Sequence, residues 1–151
     1  MRNGGDLVAA TAAARALREP MKLYFAVDTL EYLRRGGRIG TAQAWVGSAL
    51  KIKPILSIDR EIQAIERVRT AGRAFERMVE HLAALRESGA DIFFVQHIQA
   101  HDVAARLSER GAEIYGRPPE FVSEIGPVIG AHVGPGLFGV TALSREALGP
   151  V

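Results

Sequence analysis

TAGRAFERMVEHLAALRESGADIFFVQHI, residues 70–98, decides the fold class. Thr70 is a good N-cap, because its hydroxyl accepts from a free N–H of the first helical turn. Ala74, Phe75, Met78, Leu82 and Leu85 recur three or four residues apart and so share one helix face, and Gly89 closes the helix. The rhythm then changes. Asp91 to Ile98 (DIFFVQHI) is a short continuous apolar run, the pattern of a buried strand. A helix with one oily face feeding a buried strand is the unit of a layered α/β domain.

Working towards the N-terminus, Pro54 to Ile58 and Ile62 to Val68 read as two strands, with Asp59-Arg60-Glu61 as their turn. A helix is predicted from Thr41 to Leu50. Before it, Asp28 or Thr29 caps a brief helix, DTLEYLRR, that ends at Gly36-Gly37. Lys22 to Val27 is a strand, and Asp6 caps a helix through about Glu19, where Pro20 stops it. Towards the C-terminus, a helix is predicted from Asp102 to Arg110 with Gly111 as its C-cap. Strand pieces follow at Ile114-Tyr115 and Phe121 to Glu124, around Pro118-Pro119. A glycine-rich segment, Gly126 to Gly136, leads to a last strand near Leu137 to Ala142. The expected architecture is α/β: a layered domain with a mixed, partly parallel sheet flanked by helices and containing one hairpin. A single domain is expected over 1–151, with an N-terminal helix in 1–20 and the core in 21–142.

Composition agrees with a globular chain. Of 151 residues, 48% are hydrophobic and 24% charged, so disorder is not a serious reading. No apolar run approaches the roughly 18 to 20 residues of a membrane span. Cysteine is absent, which removes disulfides and thiolate metal sites and fits a cytoplasmic chain. Residues 1–60 carry ten Lys/Arg against five Asp/Glu, whereas residues 61–151 carry nine against twelve. That asymmetry suits an anionic ligand, an acidic partner or nucleic acid, and does not choose among them.

Four segments can carry chemistry. In Tyr32 to Gly40, two adjacent glycines allow a sharp bend, and the flanking arginines can present donor forks to a carboxylate or phosphate. An ordinary helix stop with solvated arginines is the competing reading. Gly126 to Gly136 sets one histidine, His132, among small and apolar residues. Its imidazole can donate to an acyl carboxylate beside a hydrocarbon tunnel, or can simply be a buried histidine bonded to a backbone carbonyl. Arg69, where a strand meets the cap of a helix, can bind an anion, meet a partner protein or pair with Glu66 or Glu61. His97 and His101 have the i, i+4 spacing of zinc ligands only if both lie on one helix, and His97 is expected to end a strand, so no metal site is expected. There is no G-x-S-x-G elbow, no P-loop and no dinucleotide fingerprint, and an autonomous enzyme is not indicated.

Taken in order, these segments resemble the C-terminal half of the DegV family. Asp28-Thr29-Leu30-Glu31-Tyr32-Leu33-Arg34-Arg35-Gly36-Gly37-Arg38-Ile39 is similar to its D-T-L-x-Y-L-x-x-G-G-R-I signature, and Lys53-Pro54-Ile55-Leu56 to its K-P-I-L strand. Val68-Arg69-Thr70, Val95 to His97 and Ile125 to Gly136 resemble its R-T junction, its strand ending in histidine and its H-x-G-P-G segment. The resemblance implies a bacterial fatty-acid-binding protein of two α/β lobes, without a cofactor, that buries a long-chain fatty acid and presents its carboxylate to a separate fatty acid kinase. By position, His132 is the carboxylate contact, and Arg38 and Arg69 lie near the head group and meet the kinase. The acyl-chain wall is expected from Ile39, Trp45, Val46, Leu50, Ile55, Ile129, Val133, Leu137 and Phe138, chosen as apolar residues near the motifs. The family's N-terminal lobe is expected to be absent from this chain, which predicts either pairing with that lobe or self-association through the exposed apolar face. Two alternatives stand beside this. One is a regulatory or protein-interaction domain that has lost lipid binding. The other is a nucleic-acid binder using Arg34, Arg35, Arg38, Lys51 and Lys53, which the scarcity of aromatics near those cations and the modest net charge of +2 disfavour, so no nucleic-acid partner is expected.

Overall fold

The computed structural model describes residues 6–18, 21–47, 52–58 and 61–148. Its elements in chain order are α1 (Leu7–Arg18), β1 (Lys22–Ala26), α2 (Glu31–Arg35), a 3-10 turn (Gly40–Trp45), β2 (Lys53–Ile58), β3 (Ile62–Val68) and α3 (Ala71–Glu87). Then come β4 (Ile92–His97), α4 (His101–Tyr115), β5 (Val122–Glu124), α5 (Pro127–Val133), β6 (Phe138–Leu143) and a second 3-10 turn (Arg145–Leu148). The strands form one mixed sheet in the order β3-β2-β1-β6-β4-β5. The β4–β5 pair is parallel and the other neighbours are antiparallel, so the partly parallel sheet flanked by helices is as expected.

The sheet buries both faces, and alternation along its strands sorts the side chains. Ala26, Ile55, Phe93, Val95, Phe138 and Val140 point to the layer made by α3 and α4. Their neighbours Phe25, Val27 and Leu56 point the other way, against Leu30, Leu33, Ile39, Val133 and Leu137. This second layer is built from the short pieces α2, the first 3-10 turn and α5. Thr70 caps α3 as predicted, its hydroxyl accepting from the Arg73 N–H at 3.1 Å.

Three local expectations change. The helix α4 runs through Gly111 to Tyr115 and stops at Gly116, whose φ of +69° is the left-handed cap. Gly111 is there for packing, because a Cβ on it would run into the ring of Phe93. Tyr115 is therefore helical and not a strand residue, and its buried hydroxyl donates to the Leu82 carbonyl at 3.1 Å. The helix expected from Thr41 shrinks, over the described residues, to a 3-10 turn ending at Trp45. Conversely, Gly126 to Gly136 contains a helix, α5, with Pro127 in its first turn and Gly134 at its end. Pro20, Leu50, Asp59 and Arg60 lie outside the described residues. No helix among the described residues is long and apolar enough to cross a membrane.

Candidate functional site

Two segments roughly a hundred residues apart in sequence interlock on the sheet face opposite α3. Here α2 packs on α5. The contact is a set of side chains laid on glycine backbone. A Cβ on Gly36 would run into Nδ1 of His132, and one on Gly134 into the ring of Tyr32. A Cβ on Gly136 would stand 2.7 Å from Oδ2 of Asp28. Gly134 also takes φ +80°, so a side chain there is excluded twice. The D-T-L-x-Y-L-x-x-G-G and H-x-G-P-G segments thus form one structural unit.

The result fixes an imidazole. The ring of His132 is half-buried, and its Nδ1 is sealed against Gly36 with no hydrogen-bond partner. The Gly36 Cα–H that points at Nδ1 already fills the space in which a proton on that nitrogen would have to sit. The neutral ring therefore carries its proton on Nε2, leaving that nitrogen as the donor. The ring borders a hollow of about 550 Å³, within the size range of small-molecule sites. Leu33, Ile58, Ile62, Ile129 and Val133 supply its apolar lining. Arg38 and Glu61 add charge to the same rim, and Arg38 donates to the Gly36 carbonyl at 2.8 Å.

The residues expected to form one acyl wall separate into groups. Ile129 and Val133 line the hollow beside His132. Ile39 and Leu137 are buried in the cluster beneath it. Trp45 packs on that cluster but, with Val46, borders a second hollow. Ile55 and Phe138 face α3 across the sheet, on the side away from His132, and so do not line the hollow. Leu50 is outside the described residues. The hairpin residues Ile58 and Ile62 were not among the expected wall. Their signal was present, as two isoleucines flanking a turn.

The second hollow, of about 450 Å³, is charged. It is lined among others by Asp28, Arg34, Trp45, Lys53 and Arg69. Lys53 pairs with Asp28 at 2.5 Å, and Arg34 and Arg35 both pair with Glu31 at 2.8 Å. The Arg34 hydrogen bond, with help from Arg35, holds the Glu31 carboxyl below its ordinary range. Arg38 and Arg69, expected to work together, thus face different hollows. Elsewhere, the rings of His97 and His101 stand 4.6 Å apart although they occupy a strand end and a helix start.

Over residues 1–145 the chain matches a family model described as "Uncharacterised protein, DegV family". The chain belongs to the DegV family. A DegV domain-containing protein of Streptomyces coelicolor is 48% identical over 145 residues, covering 94% of this chain and 51% of the relative. Protein DegV of Bacillus subtilis is 36% identical over 126 residues, covering 82% and 45%. The chain spans about half the length of the curated relatives it matches. Among solved structures, a DegV-family protein from Thermus thermophilus, described by its fatty-acid binding, superposes with TM-score 0.78 at 35% identity, covering 95% of this chain and 52% of its own. Bacillus subtilis DegV, described as a fatty-acid-binding protein, superposes with TM-score 0.74 at 33% identity over the same shares.

Proposed function

We propose that this DegV-family chain is one lobe of a fatty-acid carrier, which holds the acyl tail in the hollow lined by Ile62, Ile129 and Val133 and meets the carboxylate with Nε2–H of His132. The observation that carries the reading is the imidazole itself: half-buried, with one nitrogen sealed on Gly36, at the rim of a mostly apolar hollow. The fatty-acid binding of the two solved relatives supports the same ligand. A tail gains roughly 0.8 kcal/mol for each CH₂ it buries, so the apolar lining supplies most of the affinity. One donor then fixes which end points outward.

The hollow is open on the α5 side, where its lining residue Ile129 is 54% exposed. Closure by a second lobe, or by a second copy of the chain, completes the site on this reading. A carrier of this kind hands its ligand on. The charged hollow at Arg69 is the docking surface for a fatty acid kinase that would phosphorylate the presented carboxylate, so on this reading the catalytic groups belong to the kinase.

Native mass spectrometry of the gently purified chain tests the proposal. A fatty acid should co-purify with the native chain and be depleted from a folded His132→Ala variant. Equal retention by that variant removes His132 from the site. Absence of lipid from both, in a preparation supplied with long-chain fatty acid, removes the ligand.

A further inference from the structure

Three side chains outside the lipid hollow converge where β4 and β5 end. His97 is the last residue of β4, His101 the first of α4 and Glu124 the last of β5. Parallel pairing sets His97 opposite Glu124. The tight turn after β4, with Gln99 at φ +50°, brings the His101 ring edge-on to that of His97. Nε2 of His101 stands 3.8 Å from Oε1 of Glu124, and one donor atom from each of the three residues lies within 4.8 Å of the other two.

We infer that His97, His101 and Glu124 form a binding site for a borderline divalent transition metal, Zn²⁺ or a chemically similar ion such as Co²⁺. Two imidazoles and a carboxylate are a donor set this class of ion prefers over the oxygen-only sets of Mg²⁺ and Ca²⁺. Three protein ligands leave a fourth position for water. Donors on a tetrahedral Zn²⁺ stand about 3.3 Å apart, given bonds of about 2.0–2.1 Å, so separations of up to 4.8 Å must close by as much as about 1.5 Å. It can do so from one side. His97 is 4% exposed and serves as the fixed anchor. The His101 and Glu124 side chains are 71% and 50% exposed and can swing. The His97 ring gives up little, since the hydrogen bond that its Nδ1 accepts from the Ala100 N–H is long, at 3.4 Å. The positive end of α4 opposes a cation at this place. The charges of Glu124 and of Asp102, in the first turn of α4, counter that field.

A bound ion would tie β4, α4 and β5 together at one point. The tied segments brace α5 from both ends: the Ile125 N–H donates to the His97 carbonyl and the Gly136 N–H to the Ile98 carbonyl, each at 2.8 Å. The site therefore lies behind the helix that carries His132, without sharing a residue with the lipid hollow.

The chain has no cysteine and four histidines, so background binding is low and the test is clean. Untagged, chelator-treated protein is titrated with Co²⁺ and then Zn²⁺, following the visible d–d absorption. One Co²⁺ per chain should bind with the intense bands of a four- or five-coordinate ion, and one equivalent of Zn²⁺ should displace it. Loss of a group that only supports a ligand costs 10–100-fold in affinity, so His101→Ala and Glu124→Gln should each weaken binding at least about tenfold. Both residues are exposed, and substituting them leaves the core intact. His81→Gln and His132→Ala should not change the affinity. No stoichiometric binding at micromolar metal, or binding undiminished in both the His101 and Glu124 variants, overturns the inference.

Discussion

The imidazole of His132 rests on the backbone of Gly36, and nothing larger than a hydrogen fits between them. The φ of Gly36 is −78°, which any residue can adopt, so the glycine is required for space and not for its backbone freedom. Gly36→Ala should therefore act through one clash. Forcing a methyl into packed contact costs about 1–3 kcal/mol, read as a lowered urea midpoint, and fatty-acid retention should fall as the ring is displaced. In the Gly36→Ala/His132→Ala double variant the stability loss should largely disappear, because the clash has lost its partner. Additive losses in that cycle would show that the two residues do not meet.

Gly111 makes a second test of the same kind, away from the His132 hollow. Alanine in a helix interior is ordinarily preferred over glycine by about 1 kcal/mol. Here the added Cβ meets the fully buried ring of Phe93, so Gly111→Ala should destabilise instead. Thermal unfolding of the single variant and of Gly111→Ala/Phe93→Leu decides the matter. The second change should recover part of the loss, and a Gly111→Ala variant more stable than the native chain would contradict the packing.

These glycines also mark where sequence reading stopped. Periodicity found α3 and β4 because each has one long, uninterrupted pattern, and Thr70 and Gly89 punctuate them plainly. Gly111 carries the same punctuation signal as a helix end, and only the approach of Phe93, on a strand and eighteen residues earlier, gives it another meaning. Within Gly126–Gly136, four glycines and two prolines hide a seven-residue helix whose stability comes from packing on α2. The wall suffered from a different ambiguity. In Lys53-Pro54-Ile55-Leu56 both sheet faces are covered, so the strand reads as a continuous apolar run. Nothing local tells Ile55, which faces α3, from Leu56, which faces the site layer.

Acid should weaken the fold partly through His81. Its ring stacks on Tyr24 with centroids 3.9 Å apart, and its Nε2 is buried without a partner. Burial first, and the charge of Arg77 second, lower its pKa below the ordinary 6.5, against a smaller opposing pull from Glu66. The unfolded chain thus takes up this proton at a higher pH than the folded one. The stability contribution is complete above about pH 6.5 and is lost as pH falls from there through the folded pKa. His81→Phe keeps a flat ring for Tyr24 and removes the titration. Urea midpoints at pH 7.5 and 5.0 should lie closer together in the variant than in the native chain, and equal spacing would clear His81 of this role.

Arg38 and Arg69 should separate ligand holding from partner docking, because the structure puts them at different hollows. Arg38 shares a rim with His132 and donates to the carbonyl of Gly36, the residue on which the ring packs. Arg69 lines the charged hollow with Lys53 and Arg34. The family resemblance assigns both arginines to the partner. The geometry instead predicts that Arg38→Ala weakens fatty-acid retention, since a hydrogen bond to a charged group contributes about 1.5–3 kcal/mol and Arg38 lies near the place where the carboxylate would sit. Displacement of a fluorescent fatty acid should show about tenfold or greater loss for Arg38→Ala and none for Arg69→Ala. Phosphorylation by a fatty acid kinase, followed with the ligand at saturation, should slow for Arg69→Ala. Were Arg69→Ala to release lipid while Arg38→Ala held it, the ligand would belong in the charged hollow, and the assignment of His132 would fall with it.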